Sequence, residues 1–108
     1  MADSRAVVAV DVRPSPIAAW FHRLLTSPVI ELDGRAHAAR WGTATIPVSP
    51  GEHRLTVYFR YRGQKRARLA AAEKDFAVDE ASSAVDIAVR LGPRNGSRFR
   101  IGEPVARR

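Results

Sequence analysis

The sequence predicts a mainly β domain, an antiparallel sandwich of the immunoglobulin-like or transthyretin-like kind with six or seven strands and one short N-terminal helix. Three observations lead there. Apolar residues alternate with polar ones at a period of two in successive segments, Gly, Pro and Asp-Gly signals separate those segments, and a single stretch departs to a helical period. At 108 residues the chain has room for one domain with a real core.

The elements follow in order. Residues 6 to 12 set Val8, Val10 and Val12 on one face and end at Arg13-Pro14. From Ser15 the period changes: Ile17, Trp20, Phe21, Leu24 and Leu25 recur at helical spacing, with Ser15 as N-cap and Pro16 at the first helical position. This stripe is expected to lid one open end of the sandwich, or else to form a docking helix for another chain, and Pro28 stops it. Residues 29 to 33 turn Ile30 and Leu32 to one face, and Asp33-Gly34 supplies a turn in which Gly takes positive φ. In residues 43 to 48, Ala44, Ile46 and Val48 face inward, and Pro47, lacking an amide donor, marks an edge strand.

Residues 53 to 62 form the clearest strand. Leu55, Val57, Phe59 and Tyr61 lie on one side, with Arg54, Thr56, Tyr58, Arg60 and Arg62 on the other. Gly63-Gln64-Lys65 reads as a three-residue hairpin loop leading to a return strand at 66 to 78. Pairing Phe59 with Leu69 and Val57 with Ala71 on the buried side sets Tyr58 against Ala70, Arg60 against Arg68 and Arg62 against Arg66 outside. The phase of this return strand carries Glu73 and Asp75 inward unless a bulge intervenes before Phe76. Residues 84 to 91 alternate Val85, Ile87, Val89 and Leu91, and after Gly92-Pro93 a short segment offers Phe99 and Ile101. The domain is therefore assigned to residues 1 to 101, and residues 102 to 108 to a mobile basic tail.

Sixteen of the eighteen basic residues are arginine and alanine is equally abundant, as codons of a GC-rich genome produce, so part of the net charge of +7 is background. Arginine is also the better residue for bidentate contacts, and the excess does not exclude an acidic partner. No block of five like charges and no Lys-rich arm of the kind that wraps nucleic acid accompanies it. Cysteine is absent, which removes disulfide and thiolate chemistry. No apolar run approaches the ~20 residues of a membrane span, and Met1-Ala2-Asp3-Ser4-Arg5 has an acid where a signal peptide carries its basic region. A cytoplasmic protein without a membrane span is expected.

Chemistry-bearing patterns point away from catalysis. His22, His37 and His53 fall on three different elements without a metal-ligand spacing, so neither metal nor cofactor is expected. His53 is expected to bond turn backbone or pack at the sandwich rim. There is no nucleophile elbow, P-loop or dinucleotide fingerprint. Glu31 and Asp33 share a strand face, but acid-base work needs a pocket that separates two pKa values, and a solvated face is the expectation. Trp41 reads as core edge, with an interface anchor as the alternative.

The arginine hairpin is the strongest constellation. Like charges directly opposite are unfavourable in a sheet, so the four arginines call for a counter-charge: Glu73 or Asp75, the acids of a second subunit, or phosphates. The interaction candidates are Tyr58, Arg60, Arg62, Lys65, Arg66 and Arg68, joined by Trp20 and Trp41. The expected function is a non-catalytic protein-interaction or structural module whose partner is another protein or its own copy in a homo-oligomer. The alternative is a nucleic-acid-binding module that uses the hairpin arginines with tyrosine stacking.

A resemblance bears on the same point. Pro28-Val29-Ile30-Glu31-Leu32-Asp33-Gly34, then Trp41-Gly42, then Ile46-Pro47-Val48-Ser49-Pro50-Gly51-Glu52-His53-Arg54-Leu55-Thr56-Val57 resembles the strand and turn succession of PEGA-type β-sandwich modules and of small actinobacterial proteins similar to them. The resemblance spans about residues 28 to 91. It implies a β-sandwich appended as a surface or scaffold module, with no shared catalytic residues. The Trp20 helix and the arginine hairpin are not part of that pattern.

Overall fold

The structure, a computed structural model, describes residues 6 to 92 and 98 to 107. Residues 1 to 5, 93 to 97 and 108 lie outside the described residues, as do the side chains of Ile17 and Ala38. Nine strands occur among the described residues: β1 (Ala6–Arg13), β2 (Thr26–Leu32), β3 (Arg35–Ala38), β4 (Gly42–Val48), β5 (Gly51–Tyr61), β6 (Leu69–Val78), β7 (Ala84–Leu91), β8 (Phe99–Ile101) and β9 (Val105–Arg107). A 3-10 turn at Pro16–Ala18 leads into the single helix α1 (Ala19–Leu25).

The strands form two sheets. The first runs β4-β1-β7, and the far edge of β7 is shared by β8 along Val89 to Leu91 and by β9 along Ala84 to Asp86. Between them the Gly102 amide donates to the Ala88 carbonyl at 2.8 Å. Thus residues 102 to 107, expected as the start of a tail, lie against β7 and include a strand. The second sheet has the order β3-β2-β5-β6 and is antiparallel throughout.

The first sheet corrects the wholly antiparallel expectation, because β1 runs parallel to β7 with Val8 beside Val85 and Val10 beside Ile87. The physical reason is the connection. All of the second sheet intervenes between these two strands, so no hairpin constrains their relative direction.

Period-two alternation builds the core. Val8, Val10, Val12, Ile46, Val48, Val85, Ile87 and Val89 from the first sheet meet Ile30, Leu32, Leu55, Val57, Phe76 and Val78 from the second. Each such side chain, fully buried, is worth roughly 1.5 to 3 kcal/mol against the entropy of ordering the chain. As expected, β4 with Pro47 is an edge strand.

The turn at Asp33-Gly34 is a two-residue hairpin with φ of 54° and 83°, the left-handed pair that matches strand twist. It returns as β3, a strand the alternation did not predict. Between Phe59, paired with Leu69, and Val57, paired with Ala72 rather than Ala71, β6 holds one extra residue. Ala70 takes φ of 57° there. This bulge resets the phase, so that Phe76 and Val78 are buried while Glu73 and Asp75 sit on the outer face. The return strand accordingly begins at Leu69, not at residue 66.

The helix differs from its expectation in register and in depth. Ser15 accepts the Ala18 amide in the 3-10 turn, and the cap position of α1 is Ala18, with no side-chain bond. No residue of α1 is buried. Thr26 passes directly into β2, so Pro28 lies inside that strand, beyond the last β2–β3 pair of Val29 with Ala38.

Candidate interaction surface

One end of the sandwich gathers most of the features that the core does not use. On its inner side, α1 lays His22 against the rings of Trp41 (5.3 Å between centroids) and Phe59 (5.1 Å). Phe59 and Trp41 in turn meet Phe99 at 6.3 and 6.0 Å. The Thr26 hydroxyl donates to the His22 carbonyl at 2.8 Å, which leaves its oxygen to accept from the Trp41 indole at 3.2 Å. The indole also donates to the His22 carbonyl at 3.0 Å. Burial pushes the His22 pKa down, favouring a neutral ring among aromatics. Trp41 is therefore fixed at the core edge, and α1 lids this end through His22 and the half-buried Phe21.

The outer side of the same helix faces solvent. Trp20 is 67% exposed, Leu24 64% and Leu25 45%, and Tyr61 at the end of β5 is 40% exposed. These four account for all but one of the exposed large apolar residues among those described, the other being Val105. They form one patch. Phe21 bridges Trp20 and Tyr61 by edge-on ring contacts of 6.1 and 6.0 Å. The Arg62 amide donates to the Leu25 carbonyl at 2.9 Å, while its guanidinium donates to the carbonyls of Leu24 at 2.6 Å and Arg23 at 3.2 Å. A cation on the open carbonyls of a helix C-terminus is favourable, and it ties the hairpin to the helix. Arg23, Arg62, Lys65 and Arg66 are all exposed around the patch or on the loop that leaves it.

The expected ladder of four arginines does not form. β5 pairs with β6 only as far as Phe59 with Leu69, so Arg62, Arg66 and Arg68 belong to a longer loop and go separate ways. Arg68 and Arg60 lie over the Tyr58 ring, 4.4 and 5.4 Å from its centre. The Tyr58 hydroxyl and Arg68 Nη1 both donate to Glu31 Oε2 at 2.7 Å, and Arg60 Nε donates to the Ala67 carbonyl at 2.9 Å. Tyr58 is only 1% exposed beneath these groups. The counter-charge is thus Glu31 of β2, not Glu73 or Asp75. Asp75 pairs instead with Arg54 at 2.7 Å.

Three further groups of acids and histidines lie away from this end. His53 places Nδ1 2.6 Å from Asp33 Oδ2 and Nε2 2.7 Å from the Ser49 carbonyl, at the opposite end of β5. Asp33 also accepts the Arg54 amide at 2.8 Å, so it holds two strands and a turn together and shares no pocket with Glu31. A groove of about 330 Å³ on the outer face of the first sheet is lined by Asp11, Asp86 and Glu103 over Ala9 and Ala88. Each acid already has a cation: Arg13 and Arg90 for Asp11, Arg107 for Asp86, Lys74 for Glu103. Among the described residues no group of three or more His, Cys, Asp or Glu is placed to hold a metal ion.

The structure thus divides the eight expected interaction residues. Tyr58, Arg60 and Arg68 gather at Glu31, Trp41 joins the core edge, Trp20 belongs to an exposed apolar patch with Arg62 bonded beside it, and Lys65 and Arg66 are exposed on the loop that leaves it. Leu24 and Leu25, expected with the rest of the stripe as a lid or else a docking helix, and Tyr61, expected on the apolar side of its strand, were not among the interaction candidates, yet all three are exposed in the patch. The chain matches no protein-family model, no curated protein and no solved structure.

Proposed function

We propose that this β-sandwich is a non-catalytic docking module and that the helix–hairpin end is its working surface. One observation carries the reading: a helix with no buried residue holds Trp20 and Leu24 about two-thirds exposed. Apolar side chains concentrated at one end in this way mark a contact surface rather than scattered exposure. The chemistry of the acids and histidines supports the non-catalytic part, since Glu31, Asp33 and His53 each serve bonds between strands or turns. The PEGA-like resemblance and an immunoglobulin-like or transthyretin-like strand arrangement belong to the same proposal.

Of the partners expected from sequence, a second copy related by a twofold axis through this end would set Arg23, Lys65 and Arg66 against themselves. Nucleic acid would use stacking on Tyr58 or Tyr61; Tyr58 is covered and its arginines are engaged, and Tyr61, though exposed, lies in the apolar patch rather than beside Arg60 and Arg68. The partner therefore carries negative charge and an apolar component. Hydroxyl-radical footprinting tests the module directly: Trp20 and Leu24 should be oxidised less in cells than in dilute purified protein. Equal oxidation in the two settings would contradict a docked surface.

A further inference from the structure

We infer that the helix–hairpin end binds an anionic lipid surface, an assignment that rests on the docking reading above and names what docks. Shape favours it first. The patch stands on the exposed side of a helix at one end of the sandwich, whereas the groove of about 330 Å³ lies elsewhere, on the outer face of the first sheet. A planar interface can receive such an end without a complementary pocket.

Residue type favours it next. Trp20 and Tyr61 present amphipathic rings of the kind that settle at headgroup level, while Leu24 and Leu25 can reach the acyl boundary. Charge then selects the leaflet. The chain carries no Asp or Glu from Val12 to Ile30 or from His53 to Ala72, and these two stretches converge at this end through α1, the start of β2 and the end of β5. The carboxylate of the neighbouring cluster, Glu31, is already held by Arg68 and Tyr58. Arg23 on the helix and Lys65 and Arg66 on the loop that follows Tyr61 are exposed cations, and Arg62 adds its charge at the helix C-terminus. Each cation that reaches an anionic leaflet is worth roughly a fivefold gain in partition, and apolar insertion joined to a basic patch gives stable yet peripheral attachment. Among the described residues no helix is long and apolar enough to cross a membrane, so the attachment proposed is to one leaflet.

Co-sedimentation of the full chain with vesicles tests the proposal, using phosphatidylcholine alone and phosphatidylcholine with about one-third phosphatidylglycerol. Binding is expected on the anionic vesicles, weaker on the neutral ones and weakened by salt. Trp20→Ala with Leu24→Ala should lower partition about tenfold or more, and Lys65→Gln with Arg66→Gln by up to about 25-fold. Neither pair touches the core, so a matching circular dichroism spectrum separates lost binding from lost fold. Absence of binding to anionic vesicles at low salt, or binding unchanged by the Trp20 and Leu24 variants, would overturn the proposal. If vesicles fail while Trp20 remains protected in cells, the docking reading stands and the occupant is an acidic protein. If vesicles bind but Trp20 is unprotected in cells, both readings fall.

Discussion

At the residue scale, the carboxylate of Glu31 sits between the Tyr58 phenol and the Arg68 guanidinium and offsets the charge of the two arginines over the Tyr58 ring. Removing it strands two donors, one of them almost fully buried. Glu31→Ala should therefore cost about 2 to 3 kcal/mol in urea unfolding, whereas Tyr58→Phe, which removes donor and bond together, should cost about 1. Near-equal, negligible losses would show that the cluster is solvated. Neither partner was legible in the sequence, because Glu31 and Tyr58 become diagonal neighbours only through the β2–β5 register, which sets Val29 opposite Tyr58 and Glu31 opposite Thr56. The His53 role was legible, since a histidine three residues beyond Pro50 had turn carbonyls within reach. Burial works against its charge but is outweighed by the bonds to Asp33 and Ser49, so its pKa lies above the usual 6.5. The His53 bond lowers the Asp33 pKa below 3.8, a shift that burial opposes and the Arg54 amide aids. The histidine's contribution to stability is whole below pH 6.5 and is lost as pH rises through its raised value. That of Asp33 is present above pH 3.8 and is lost as pH falls through its lowered value. Stability should thus fall as pH rises from about 6.5 through the raised His53 value, and His53→Gln should flatten that fall. An unchanged slope in the variant would assign the pH dependence elsewhere.

At the element scale, the strands with strong alternation, β1, β5 and β7, were readable to within a few residues because one face of each is buried. β3 was not, since Arg35-Ala36-His37-Ala38 has no large apolar residue to mark its phase. The bulge in β6 was readable as a need but not as a place: the clash of Glu73 and Asp75 with an inward phase required one extra residue, and an alanine run gave no landmark for it. The structure puts it at Ala70, whose φ of 57° is strained for any residue with a Cβ. Ala70→Gly should therefore stabilise the fold by about 0.5 to 1 kcal/mol despite the added freedom of the unfolded chain, and Ala70→Val should destabilise it. Denaturant midpoints of the two variants check this, and a loss from glycine would place the bulge elsewhere. The helix was legible in position but not in orientation. Spacing identifies a stripe, yet a seven-residue helix meets the sandwich through a single turn, and here His22 and Phe21 win that contact over Trp20 and Leu24.

At the scale of the whole molecule, two sheets bury a valine-rich core, their strand ends are tied by ion pairs and turns, and one tip keeps large apolar groups in water among cations. A fold that needed those groups for its own stability would bury them. The division between a self-sufficient sandwich and a surface reserved for docking is the central claim, and equilibrium unfolding of the Trp20→Ala, Leu24→Ala variant tests it most directly. The account predicts a stability within about 0.5 kcal/mol of the parent, as for exposed positions. A loss of several kcal/mol, of the size that follows removal of buried Trp and Leu side chains, would mean that these residues belong to the core and that no such surface exists.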